Sequence, residues 1–270
     1  MKQSQFLPQF ERLSVVASMI LLAYALLPFI QTPAREISFS FLGILIEFNA
    51  NLTVLIALLA AGLAVSGADW LLRDHPVRDN QPVYPHYLLP ALTSAVIGVP
   101  LALLKVSIQW WVVFGLGTLL LLAVLVAEYI SMDRRDTRHA IAQMVLNGVS
   151  FGLLLTLAIS IRAAGLRLYL LLFTLTPLCA LLCLRLFHLR LQGNWNWEWA
   201  AAITLIITQA AIGFYYLPLS PARFGLILLG IAYGLIELAI VMQPFKWSFQ
   251  KLFGPSLVTA LFWLMAIFIG

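Results

Sequence analysis

Residues 109–130 read QWWVVFGLGTLLLLAVLVAEYI, a run of 22 positions whose single charged side chain is Glu128. As a helix, at about 1.5 Å per residue, the run is about 33 Å long, which matches a bilayer hydrocarbon core of about 30 Å. A soluble protein could bury such a helix only inside a large charged shell, and this chain has none to offer. Of its 270 residues 62% are apolar and 10% are charged, against about 25% charged in ordinary soluble domains. The mean hydropathy is +0.97. The chain therefore reads as a polytopic membrane protein, which excludes a soluble enzyme, a nucleic-acid binder and a disordered regulator.

Working outward from that run, the same criterion yields nine candidate spans. They lie at approximately 11–31, 51–72, 87–105, 109–130, 139–161, 166–186, 197–218, 222–243 and 252–270. The fold expected is an all-α transmembrane bundle with short loops, forming a single integral membrane domain over 1–270. The apolar run 13–30 is longer than a signal-peptide core and no small-x-small cleavage site follows it, so it is expected to stay as the first span. The third span carries Pro90 and Pro100 and the last carries Pro255, which membrane helices tolerate where neighbours satisfy the freed carbonyls. Between the first two spans, ISFSFLGILIEFN at 37–49 alternates about Gly43, and an outer-face β-hairpin or interfacial segment is expected there. The sequon Asn51-Leu52-Thr53 opens a span and is discounted.

Basic residues orient the bundle. With the N-terminus in the cytoplasm, eleven fall on inner segments: Lys2, Arg12, Arg73, Arg78, Arg134, Arg135, Arg138, Arg185, Arg190, Lys246 and Lys251. Five fall outside: Arg35, Lys105, Arg162, Arg167 and Arg223. The positive-inside rule then gives a cytoplasmic N-terminus and, with nine spans, an external C-terminus. Trp70, Trp110, Trp111, Trp195, Trp197, Trp199, Tyr215 and Tyr216 sit near span ends, as an interfacial aromatic belt does. Cys179 and Cys183, four apart in the sixth span, read as a reduced pair in a helix interior, with no disulfide and no metal.

An ionisable group inside a span costs roughly 2.5–3.5 kcal/mol on insertion scales, so each one marks a candidate site. Asp69, Glu128 and Glu237 qualify, and on this topology all three lie in the cytoplasmic half of the membrane. Gly62, Ser66 and Asp69 stand at i, i+4 and i+7, as do Gly230, Gly234 and Glu237. Each triplet occupies one helix face, and its small residues suit close helix packing. His139, Gln143, Asn147 and Ser150 form a polar stripe on the fifth span, with His86, Pro90, Thr93 and Ser94 on the third and Thr204, Thr208 and Gln209 on the seventh. Together these predict a cytoplasm-facing polar cavity lined by Asp69, Glu128, His139, Gln143, Asn147 and Glu237. The plainer alternative has Asp69 and Glu128 at the interface, snorkelling or pairing with Arg73 or Arg138. Glu237, six residues inside its span, is the hardest to explain that way.

Two loops gather acids: Asp69, Asp74 and Asp79 with His75 and His86, and Glu128, Asp133 and Asp136 with His139 among three arginines. The layout resembles the Asp-rich loops of membrane prenyltransferases, but that family's spacing of four is absent, and acids mixed with arginine fit a solvated loop. No GxxxxGK[ST], HExxH or GxSxG occurs, and no catalytic residue, metal site or cofactor is assigned.

The stretch FLGILIEFNANLTVLIALLAAGLAVSGADWLLRDHP at 41–76, with EYISMDRRD at 128–136, resembles an uncharacterised family of bacterial multi-pass membrane proteins. The resemblance implies a bacterial cytoplasmic membrane and brings no catalytic residues with it. Three readings of function stay open. The first is a transporter or channel-like protein using the acidic cavity. The second is a non-catalytic subunit or scaffold in a larger complex, with other membrane subunits as partners beside the lipid bilayer. The third is a membrane enzyme acting on a lipid-linked phosphate.

Overall fold

The computed structural model describes residues 8–29, 35–41, 44–50, 52–73, 75, 82–191, 193–242 and 249–269. Its helices are α1 (Phe10–Ala25), α2 (Leu52–Leu72), α3 (Pro85–Leu103), α4 (Ile108–Ser131), α5 (His139–Ala163), α6 (Leu168–Arg190), α7 (Trp197–Tyr215), α8 (Pro221–Met242) and α9 (Phe249–Phe268). Each falls where a span was expected. Eight of the helices described are long and apolar enough to cross a membrane, and apolar sequence fills the described part of α9 from Phe253 to Phe268. The chain is a membrane-embedded helical protein. The stretch before α2 forms an antiparallel pair, β1 (Arg35–Phe41) and β2 (Ile44–Ala50), with Arg35 opposite Ala50 and Phe41 opposite Ile44.

Helix ends follow local chemistry. α1 stops at Ala25 and tightens into a 3-10 turn at Leu27–Phe29, where Pro28 disfavours α geometry for the residue before it. α3 begins at Pro85, a position at which the missing N–H costs nothing. Gly165 and Gly193 have φ of 60° and 96° in the turns after α5 and α6, a left-handed geometry that favours glycine.

Two compact units make up the chain, Met1–His139 and Ala140–Gly270. In the first, α2 packs on α1 and α3, and α4 packs on α3 and α1. Its core runs through Val16, Ile20, Tyr24, Ile56, Leu72, Ile97 and Leu125. The Tyr24 hydroxyl donates to the Ser94 carbonyl (2.6 Å) and the Trp110 indole to the Leu101 carbonyl (3.1 Å), so each buried aromatic satisfies its polar atom. A Cβ on Gly98 would stand 2.9 Å from the Tyr24 ring; glycine there is what lets the tyrosine dock. In the second unit α6, α7, α8 and α9 pack in sequence. Gly225 lies against Ile159 of α5, and Gly230 and Gly234 against Trp263 and Thr259 of α9. Cys179 and Cys183 are free and buried in α6.

The two small-residue triplets behave differently. Gly230 and Gly234 do sit at a helix contact. Gly62 has open space around its Cβ position and Ser66 is exposed. The close-packed stripe of α2 is instead Ala60, Ala64 and Ala68, all buried, with Gly67 against Val16 of α1. Residues 60 and 62 are about 200° apart around a helix, so the alanine stripe turns Gly62 and Ser66 away from the core.

Candidate functional site

In the first unit the polar residues meet at the end where α2 finishes, α3 begins and α4 finishes. The first turn of α3 supplies two consecutive side chains about 100° apart around the helix, and each takes one acid. His86 Nδ1 lies 2.7 Å from Glu128 Oε2 on α4, and the Tyr87 hydroxyl donates to Asp69 Oδ1 on α2 at 2.6 Å. Arg73 adds a second tie to Asp69, with Nη2 3.1 Å from Oδ2. Ser131 Oγ donates to the Glu128 carbonyl at 3.0 Å and stands 3.4 Å from both Glu128 Oε2 and His86 Nδ1. Glu128 is 1% exposed, so its charge depends on these partners and not on water.

The loop after α4 is arranged by its own acids. Asp133 Oδ1 accepts from the Arg135 N–H at 2.9 Å, and Asp136 Oδ1 accepts from the Arg138 N–H at 2.8 Å. The Arg138 guanidinium closes on Asp136 as well, with Nη2 2.9 Å from Oδ2. That hydrogen bond holds the Asp136 carboxyl below its usual range and raises Arg138. His75 stacks edge-on to Tyr129 at 4.7 Å. Its burial lowers the imidazole's affinity for a proton, and His86 adds to this, against the pull of Asp133 and Asp136. His139 opens α5, its N–H donating to the Asp136 carbonyl at 3.0 Å. These acids shape turns, and among the described residues no three His, Cys, Asp or Glu side chains gather as metal ligands. Asp74 and Asp79, part of the loop pattern, lie outside the described residues, as do Lys2, Arg78, Lys246, Gly43 and Asn51.

In the second unit the last turn of α6 has a similar position. The Leu189 carbonyl accepts from Gln143 Nε2 of α5 at 3.2 Å, and Arg190 Nη2 reaches Glu237 Oε1 of α8 at 2.9 Å. The start of α5, the end of α6 and the later half of α8 thus share one level. Glu237 is 9% exposed and faces protein, as its spacing from Gly230 and Gly234 predicts. Asn147 lies one turn beyond Gln143, and its Oδ1 is buried with no hydrogen-bond partner among the described residues. His188 stacks on Trp195 at 4.7 Å, and Trp195 on Trp197 at 6.0 Å.

Of the six residues expected to line a cavity, Asp69, Glu128 and His139 belong to the first unit and Gln143, Asn147 and Glu237 to the second. Sequence reading named Arg73 as a partner for Asp69 but missed the others. His86 was seen as part of a polar stripe but not as the ligand of Glu128, Arg190 was counted only among the inner basic residues, and Tyr87 was not singled out. It also read Arg185 as the inner flank of a span ending at 186, whereas α6 continues to Arg190 and Arg185 is completely buried. One signal was available: on a helix, Arg185 shares a face with Leu178, Leu182 and Leu189, all apolar.

A family model described as a protein of unknown function (DUF5656) matches residues 32–269. Comparison with curated proteins finds no match to the chain, and neither does comparison with solved structures.

Proposed function

The chain belongs to the DUF5656 family of unknown function, and from that premise we propose that it is a non-catalytic membrane subunit that scaffolds other membrane proteins. We assign it to a bacterial cytoplasmic membrane, with the N-terminus inside and the end of α9 outside. One observation carries this reading: each of the three acids within the spans is held by a basic or hydroxyl partner from its own unit. Asp69 has Arg73 and Tyr87, Glu128 has His86, and Glu237 has Arg190. A carboxylate that must bind and release a substrate needs an open coordination position, whereas these contacts tie the acids to protein side chains and cross-link α3 to α2 and α4, and α6 to α8. The eleven-to-five division of basic residues supports the orientation.

Transport is the second reading, favoured by the buried His86–Glu128 contact, since an imidazole next to a carboxylate inside a membrane is the chemistry of a proton relay. One experiment separates the two. The protein, purified in a mild detergent and reconstituted into vesicles under a pH gradient, is expected to give proton flux no greater than empty vesicles and to co-purify with a stoichiometric membrane partner. A partner-free monomer whose flux disappears in Glu128→Gln would overturn the scaffold in favour of transport.

A further inference from the structure

Beyond that reading, the far end of the second unit carries a feature the scaffold does not use. A groove of about 380 Å³ opens there between α8 and α9, its walls made by Phe214, Leu219, Ile227, Trp263 and Ile267, with Arg223 set among them. The lining is almost wholly apolar, so Arg223 is its one source of charge.

Arg223 lies in the first turn of α8, where the helix dipole is positive and a cation is disfavoured. Its Nη2 donates to the Ile267 carbonyl at 3.3 Å, but its Nε is buried with no acceptor among the described residues. Arg162, at the same end, is placed quite differently. Both of its terminal nitrogens donate to carbonyls, those of Tyr215 and Leu217, at 3.0 and 2.9 Å, and its guanidinium lies over the Tyr215 and Phe224 rings. No acid reaches Arg223 among the described residues. Residues 140–270 contain only two acids. Glu237 is 14 residues further along α8, about 21 Å at helical rise, and Glu198 starts α7, whose opposite end, at Tyr215, is the one beside Arg162.

We propose that this groove is a binding site for an anionic phospholipid of the surrounding bilayer. One acyl chain lies against Phe214, Ile227 and Trp263, and the phosphate meets the part-exposed guanidinium of Arg223 and the positive end of α8. The guanidinium presents a planar fork suited to phosphate oxygens. Charge complementarity selects the occupant: an arginine with no carboxylate partner among the described residues, at a helix N-terminus, in an apolar groove.

The test uses the full chain in vesicles of equal phosphatidylglycerol and phosphatidylcholine, extracted gently and weighed intact by native mass spectrometry. Wild type is expected to retain phosphatidylglycerol preferentially, and Arg223→Gln to lower that preference by about fivefold, the usual worth of one basic side chain at an anionic membrane surface. Arg223→Lys, which keeps the charge and loses the fork, is expected to fall between them, with thermal unfolding checking that each variant is folded. Equal retention of the two lipids by wild type would overturn the proposal. So would an equal loss of preference in Arg167→Gln, which leaves the groove intact, because the preference would then come from the diffuse positive field of the unit.

Discussion

The two units resolve the same problem, polar groups inside a membrane, with opposite charge inventories. Residues 1–139 carry nine basic and nine acidic side chains, and residues 140–270 carry seven basic and two acidic ones, so the whole net charge of +5 belongs to the second unit. In both, consecutive residues of one helix turn reach two neighbouring helices: His86 and Tyr87 in the first, Leu189 and Arg190 in the second. In the first unit those contacts consume acids, and the cluster closes on itself. In the second, one of the two contacts is a backbone carbonyl, the other is the Arg190–Glu237 ion pair, and at the opposite end Arg223 has no carboxylate partner among the described residues. Charge balance within a unit therefore separates a sealed structural cluster from a surface with affinity to spare.

The largest effect is expected where that sealing is deepest. Replacing His86 by alanine leaves Glu128 buried without its imidazole, a loss of about 3 kcal/mol, as for other buried charges deprived of a partner. Arg190→Ala should cost less, about 1 kcal/mol, because the Arg190–Glu237 side chains are 36% and 11% exposed, against 8% and 2% for His86 and Glu128. The units can be read separately in one thermal melt. Cys179 and Cys183 are the only cysteines, both in the second unit, so a thiol-reactive dye reports its opening, while indole emission reports on the first in a background where Trp195, Trp197, Trp199, Trp247 and Trp263 are replaced by phenylalanine, leaving Trp70, Trp110 and Trp111. Equal losses for the two substitutions would show that burial does not distinguish the clusters.

A smaller effect sharpens the contrast between the two triplets of matched spacing. A Cβ at Gly230 would stand 2.6 Å from the Trp263 indole nitrogen, while at Gly62 nothing lies within 4 Å. Gly230→Ala should therefore destabilise by about 1–3 kcal/mol through overpacking against a rigid ring. Gly62→Ala should be neutral or stabilising by up to about 1 kcal/mol, since alanine is the better helix former. Comparable losses at both positions would mean that α2 uses its glycine face for a contact outside its own unit.

Most of the fold was legible because a bilayer imposes one dominant rule. Runs such as 109–130 have to be helical, and the alternation at 37–49 marked the strand pair. The site was legible only in its acids, since a charge inside an apolar run stands out from the sequence alone. Their partners, Arg73 apart, were hidden for two reasons. His86 and Tyr87 open a helix whose start is set by Pro85, and which of the two reaches α2 and which α4 depends on helix rotation, which spacing within one helix does not fix. The stripe on α2 was misassigned because glycine and serine were weighted above alanine, yet Ala60, Ala64 and Ala68 are small enough to form the contact and, being apolar, are suited to complete burial.

The smallest expected effect concerns pH and belongs to the first unit alone. His75 and Asp136 both lie outside the spans, and both hold their protons more weakly in the folded chain than when free. For such groups the unfolded chain binds more protons as the solution is acidified, so stability is present at neutral pH and lost on acidification. The imidazole contributes first: its share is intact above its ordinary value of 6.5 and erodes below it. The carboxylate held by Arg138 follows only at pH values below its ordinary 3.8. In the second unit no group outside the spans shows such a shift among the described residues, so acid should loosen the first unit before the second. His75→Phe, which keeps an aromatic ring against Tyr129, should remove the step near pH 6 and leave the lower one. Tryptophan emission recorded across that range in detergent, in the background that keeps only Trp70, Trp110 and Trp111, would measure it, and an unchanged step in the variant would show that His75 does not carry the acid sensitivity.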